Sequence, residues 1–457
     1  MKKNHLPFLG IWTLFLLSGL AHSLLLPLWG GFDEWLHYGY VAYVSRTGKV
    51  PTLTEASVPK EVAESVKTKS GTNDFSSPFV QASWQAQHPP LYYYLLSPVY
   101  KLTDGWPIFR TVKIMRALSV FLASLALIPA YFIFRLFLNE DSSFAGLFLI
   151  CVFPSTFILL GHMTNDTLAF PLLTTLAWLT LKILRDGPGV FVSLVLGCVM
   201  GAGIVTKLYV LTALPAVLLA YAFRKSFFLF SLALLAALAV AGTWIDFNIS
   251  HYGTWNPAVH SVVSKDAGIL DKLKTAGEIN WKSFAFSNLI GLLWAGDWDF
   301  VAFPSWVYKI FGVCLFGLGA GLIRRLPSLM SEKLLNAFGI LIALSFGFLL
   351  GLIQHQIQIR SAGNFDAMGG WYWTALLPTH TALALLALQG LAGERFNRIL
   401  PVLLMLFFGL TLWGNIGIQL PYYGGLKSAF LPVLWTLQTG LFGGLLWYTI
   451  GLCRRKL

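Results

Sequence analysis

Charge is what this sequence has least of. Asp, Glu, Lys and Arg make up 11% of its 457 residues, well under the roughly 25% of soluble domains, while 56% are hydrophobic. That excludes an ordinary soluble protein. Cysteine is scarce too: Cys151, Cys198, Cys314 and Cys453 lie in or beside apolar runs, with no CxxC spacing. A disulfide framework and a zinc ribbon are therefore excluded. There is no low-complexity tract, evident repeat or soluble domain. The net charge of +12 forms no basic patch that would suit nucleic acid. It is dispersed in short segments between apolar runs, among them Lys2 and Lys3, Arg135, Lys182 and Arg185, Arg224 and Lys225, Arg324, Arg325 and Lys333, Arg395 and Arg398, and Arg454 to Lys456.

What is present is a succession of apolar runs, each long enough to cross a bilayer as a helix of about 20 residues. The pattern predicts an all-α polytopic membrane protein with about twelve spans. In the first half they fall near 6–28, 112–137, 144–162, 167–184, 190–206 and 208–223. In the second they fall near 227–246, 305–323, 334–353, 373–392, 399–418 and 430–452. The basic clusters occupy alternate connections, so the positive-inside rule puts both termini in the cytoplasm. The run 6–28 is long for a cleavable signal peptide and reads as an uncleaved span. The long connections 29–111, about 247–304 and about 354–372 then share the external face of the plasma (inner) membrane, and function is expected there.

Residues 33–46 read as an amphipathic surface helix, with Leu36, Tyr40, Tyr43 and Val44 on one face, ended by Gly48 and Pro51. A second surface helix starts at "QHPPLYYYL", where Pro89 and Pro90 suit a first turn and Tyr92, Tyr93 and Tyr94 suit an interfacial aromatic belt. The hydrophilic stretch 52–86 between them reads as a mobile loop.

The candidate chemistry lies in the external turns. Asp33 and Glu34 begin the first surface helix, either as partners of its dipole or as a general base tuned by an apolar setting. "GHMTNDTLAF" carries Asn165 and Asp166 in a very short turn, where Asp166 reads as a cap, a site residue or both. Lys207 in "VTKLYVL" stands alone between two apolar runs, an ammonium that either snorkels or meets an anion such as a lipid phosphate. Arg116 in "KIMRALS" is a similar case, and His37 and His88 are candidate ligands or stacking groups. "LLWAGDWDFVAFP", 292 to 304, and "GGWYWTALLP", 369 to 378, read as interfacial aromatics or as a wall for sugar or isoprenoid.

In chain order these stretches resemble the membrane glycosyltransferases of the GT-C superfamily, in particular its protein O-mannosyltransferase and aminoarabinose-transferase branch (glycosyltransferase family 39-like). The elements are "FDEWLHYGYVAYVSRTGKVP", "QHPPLYYYL", "MRALS", "MTNDTLAF" and "TKLYVL", and the likeness covers residues 1 to about 225. It implies a GT-C-like bundle with a catalytic module at 1–225, including the large first external loop, and a variable module at 226–457. The implied reaction moves a sugar from a polyprenyl-phosphate donor to an acceptor hydroxyl on a glycan, lipid or protein, with inversion. Asp33 would be the general base, helped by Glu34 and Asp166. Lys207 and Arg116 would hold the donor phosphate, with His37, His88, Tyr92, Asn165 and Tyr372 as further substrate contacts. Relatives carry Gly-Arg-Tyr before a late span where this chain has Gly370-Trp371-Tyr372, and Arg360 is a candidate substitute for the absent arginine. Some relatives need a divalent metal; Glu34, His37, His88 and Asp166 could supply ligands, although their spacing does not require one. The competing readings are a transporter or flippase of lipid-linked glycans and a non-catalytic glycolipid-binding relative.

Overall fold

The computed structural model describes residues 5–68, 77–257, 268–297, 299–363, 369–426 and 428–454. The basic residues at the extreme ends, Trp298 and part of the 52–86 stretch lie outside that set. The chain begins with α1 (His5–Leu25) and α2 (Glu34–Thr47), followed by β1 (Ala56–Pro59), α3 (Lys60–Thr68) and β2 (Phe79–Ala82). Next come α4 (Leu91–Leu102), α5 (Ile108–Ser124), α6 (Leu127–Phe137), α7 (Glu140–Val152) and α8 (Thr156–Leu160). The first half closes with α9 (Asp166–Asp186), α10 (Val190–Ile204) and α11 (Leu214–Phe223). The second half runs through α12 (Phe227–Tyr252), α13 (Ile269–Glu278), α14 (Trp281–Leu293), α15 (Ser305–Ser331) and α16 (Leu335–Ser361). It ends with α17 (Leu377–Ala392), α18 (Phe396–Leu412), α19 (Leu420–Tyr422) and α20 (Phe430–Arg454).

The chain is an all-helical multi-pass membrane protein. Among the described residues, eight helical stretches are long and apolar enough to span a bilayer, not the expected twelve. Three reasons account for the difference. The expected span 144–162 breaks where Pro154 ends α7, since proline denies the helix a hydrogen bond. Helices α10 and α11 are shorter than a full crossing. The tenth and eleventh spans run together in one helical stretch, Gly370–Tyr422.

Two cores carry the site between them. The larger lies among α1, α6, α7, α9, α11, α16 and α17. A second forms under the first long connection, where Leu36, Tyr40, Val41 and Val44 of α2 pack with Val58, Val62, Tyr92, Tyr93 and Tyr100. This corrects three expectations. Helix α2 is buried on nearly every side, so it is a core helix of the loop domain and not an amphipath lying on lipid. Tyr92 and Tyr93 are fully buried, and only Tyr94 is exposed as a belt residue would be. The described parts of the 52–86 stretch, 52–68 and 77–86, are built, with β1 paired antiparallel to β2 and Val58 and Val62 inserted beside α2.

Candidate active site

Asp33 stands at the entry to α2 in the left-handed region, φ 50°, ψ 18°, and its side chain makes no capping hydrogen bond. Its carboxylate instead faces the short helical turn Trp84–Gln87, where Gln85 Nε2 donates to Oδ2 at 2.9 Å. Burial pushes the carboxyl up to about 6, against the opposing pull of Trp84, the Lys207 charge and Gln85. An acid so placed is ionised near neutral pH yet basic enough to take up a proton.

Lys207 and Asp166 are brought together by backbone bonding. The Leu91 amide at the start of α4 donates to the Val205 carbonyl at 3.0 Å, and Asn165 Nδ2 donates to the Thr206 carbonyl at 3.2 Å. The Thr206–Lys207 turn is thus pinned between α4 and α9. Lys207 Nζ then lies 2.5 Å from Asp166 Oδ2. Thr164 donates to that same oxygen at 3.0 Å and the Tyr209 hydroxyl to Oδ1 at 2.9 Å. Lys207 also lies 5.4 Å from the centre of the Tyr372 ring. Both Asp33 and Asp166 are within electrostatic reach of Tyr372. The Asp33, Asp166, Lys207 and Tyr372 side chains therefore share one locality, from four separate segments.

Tyr372 reaches it because the turn Gly370–Leu376 packs closely on α14. A Cβ on Gly370 would run into the Asn288 carbonyl, so only glycine permits that approach. The same turn stacks Trp371 on Phe32, 4.4 Å between ring centres and 16° between planes. Phe300 completes the group at 5.7 Å from Phe32 and 5.7 Å from Trp371. The two aromatic segments, 292–304 and 369–378, thus meet at Phe32, the residue preceding Asp33.

Arg116 and Glu34 are elsewhere in function. Arg116 is 1% exposed. Its Nε donates to Glu34 Oε1 at 2.7 Å and its Nη2 to Oε2 at 2.5 Å. Nη1 donates to the Ser23 and Leu26 carbonyls and Nη2 to that of Pro27. A guanidinium has five N–H donors, and all five are used. The expectation that Arg116 grips a phosphate is corrected: it staples the end of α1 to the start of α2. Glu34 Oε1 also accepts from the Met163 amide at 3.1 Å. Burial alone would raise its pKa, but the Arg116 charge and hydrogen bonds hold it below the ordinary carboxylate value.

Three further expectations are corrected. Tyr92 turns inward and bonds Ser119 at 2.8 Å, so it offers substrate nothing. Asn165 is fully buried and serves the turn just described. His37 is buried, with Nδ1 2.9 Å from the Tyr93 hydroxyl and its ring parallel to that of His88 at 6.4 Å, so it supports the site from behind. The metal expectation also fares poorly on donor chemistry. Both Glu34 oxygens are committed to Arg116, and no group of three His, Cys, Asp or Glu among the described residues could hold an ion. Missing from the expectations were Gln85, Tyr209 and His355. Gln85 sat in a stretch read as a loop. His355 had a signal, an ionisable residue at the end of an apolar run.

The fold resembles that of solved membrane proteins at low sequence identity. ArnT from Cupriavidus metallidurans in the apo state superposes with a TM-score of 0.51 at 13% identity, covering 97% of this chain and 76% of that one. The same protein bound to undecaprenyl phosphate gives 0.49 at 12% identity, covering 97% and 76%. The Archaeoglobus fulgidus oligosaccharyltransferase in complex with Zn and sulfate gives 0.48 at 12%, covering 88% of this chain and 52% of that one. Residues 87–246 match the family model described as dolichyl-phosphate-mannose-protein mannosyltransferase. No curated protein matches the sequence significantly.

Proposed function

We propose that the protein transfers a sugar from a polyprenyl-phosphate donor to an acceptor hydroxyl, or similar nucleophile, at the external membrane face. The carrying observation is the locality that holds a carboxylate of raised pKa, Asp33, beside the Lys207–Asp166 pair. Asp33 takes the proton from the acceptor as it attacks the anomeric carbon from the side opposite the phosphate, giving inversion. Lys207 stabilises the charge that develops on the leaving phosphate, in surroundings where little water screens it. Asp166 and the Tyr209 hydroxyl hold the ammonium in place. Phe32, Phe300 and Trp371 form an apolar wall for sugar or isoprenoid. Residues 1–225 supply the catalytic groups and 226–457 lend Tyr372, Trp371 and Phe300.

The test is transfer of labelled sugar from a synthetic polyprenyl-phosphate donor by the purified protein, followed against pH. A base works only when ionised, so the rate should climb tenfold per pH unit at low pH and level off above about 6, the value burial gives Asp33. Gln85→Leu removes a donor that favours the ionised form and should move that inflection to higher pH. A flat profile, or one unmoved by Gln85→Leu, removes Asp33 as the base. Lys207→Met should lower the rate by about 10²–10³, the cost of losing one such electrostatic contact, with the protein still recovered folded.

A further inference from the structure

We infer that His355 of α16, paired with His88, is a binding group for the donor phosphate beside Lys207. The inference rests on the reading above and starts from a count of donors. A phosphodiester brings one negative charge and at least two oxygens that must be satisfied away from water. Arg116 has no N–H to spare, and Arg360, a little over a turn beyond His355, already has an interaction of its own. Lys207 has given one of its three hydrogens to Asp166.

The two imidazoles supply what the cations do not. His88 lies within electrostatic reach of Lys207, Asp166 and His355, and His355 within reach of Lys207. The His355 ring stands edge-on to Tyr372, 6.2 Å between centres and 83° between planes. That is the ring over which Lys207 Nζ also sits. One corner of the site therefore collects an ammonium, two imidazoles and a phenol, from four segments. No hydrogen bond joins either imidazole ring to another described residue. Burial, with Lys207 close by, holds His88 down to about 3, so it enters the reaction neutral and with one N–H to give. Two imidazole N–H groups and the two remaining ammonium hydrogens make four donors, enough for both free phosphate oxygens. A polar ring left without a partner in an apolar run is costly, which a purely structural residue in α16 would not sustain.

The experiment uses sugar-free undecaprenyl phosphate as probe, with the purified full chain, reading both the dissociation constant and the rise in melting temperature on binding. His355→Ala should weaken binding about tenfold, the worth of one hydrogen bond to a charged group. His355→Gln, which keeps an N–H at similar reach, should stay within about threefold of the parent. In turnover the loss should appear in KM for the donor with kcat little changed, and His88→Ala should behave alike. Unchanged affinity in His355→Ala overturns the inference. So does a ligand-free melting temperature that falls equally in the Ala and Gln variants, which would make His355 a packing residue. Probe binding that depends on His355, in a protein that never transfers sugar, would keep the anion site and sink the glycosyltransferase reading instead. Normal transfer with His355-independent binding would do the reverse.

Discussion

Asp33→Asn is expected to cut sugar transfer by about 10²–10⁴, the usual contribution of a general base, while leaving the protein at least as stable as before. Asparagine keeps the shape and the left-handed backbone that Asp33 adopts, since it is among the few side chains tolerated there. It cannot take a proton. The stability half follows from the sign of the shift. The Asp33 pKa is higher in the folded protein, about 6, than the unperturbed 3.8. Its contribution to stability is therefore full below 3.8 and is lost as pH rises through 6. At pH 8 the buried charge costs roughly 3 kcal/mol, from two units at about 1.4 kcal/mol each. Asparagine avoids that cost, so thermal melts in detergent should show the variant equal or better at pH 8, with no such advantage at pH 4. Normal transfer by Asp33→Asn ends the proposal. A marked drop in melting temperature at pH 8 would instead make Asp33 a structural residue of the α2 entry.

How much of this could be read from the chain differs from residue to residue. Asp33, Asp166 and Lys207 were legible because each is an ionisable group beside an apolar run, where water cannot satisfy it and a partner or a ligand must. Their order along the chain added the resemblance to a known class. Which charge neutralises which was not legible. Arg116 and Lys207 look alike in sequence, each a cation beside or within an apolar run. Only the packed structure shows five carbonyl and carboxylate acceptors closing around one of them while the other keeps hydrogens to give. The spans were overcounted for a related reason. Hydropathy records which segments avoid water, but a segment such as α7 avoids it by packing against protein, so it need not cross the bilayer. The 52–86 stretch fails in the opposite sense: mostly hydrophilic, it hides Val58 and Val62, two side chains that seat it on α2.

The Arg116–Glu34 pair yields the largest expected effect on folding. Arg116→Met and Glu34→Gln should each destabilise the protein by about 3–5 kcal/mol, because either change leaves a buried charge without its partner. That is roughly a fifth or more of the stability of a typical domain, and poor recovery from detergent extracts is the expected symptom. The double variant Arg116→Met/Glu34→Met should lose less than the two single losses combined, since no orphaned charge remains. It should not regain parental stability. The Ser23, Leu26 and Pro27 carbonyls that Arg116 satisfied would stay unpaired, at about 1–3 kcal/mol for each one still shielded from water. Asp33 directly precedes Glu34 of this clamp, so whatever double variant survives should show depressed kcat with donor affinity nearly intact, the opposite of the His355→Ala pattern. A stable Glu34→Gln protein whose defect is confined to donor binding would return Arg116 to the substrate and reopen the assignment of the phosphate site.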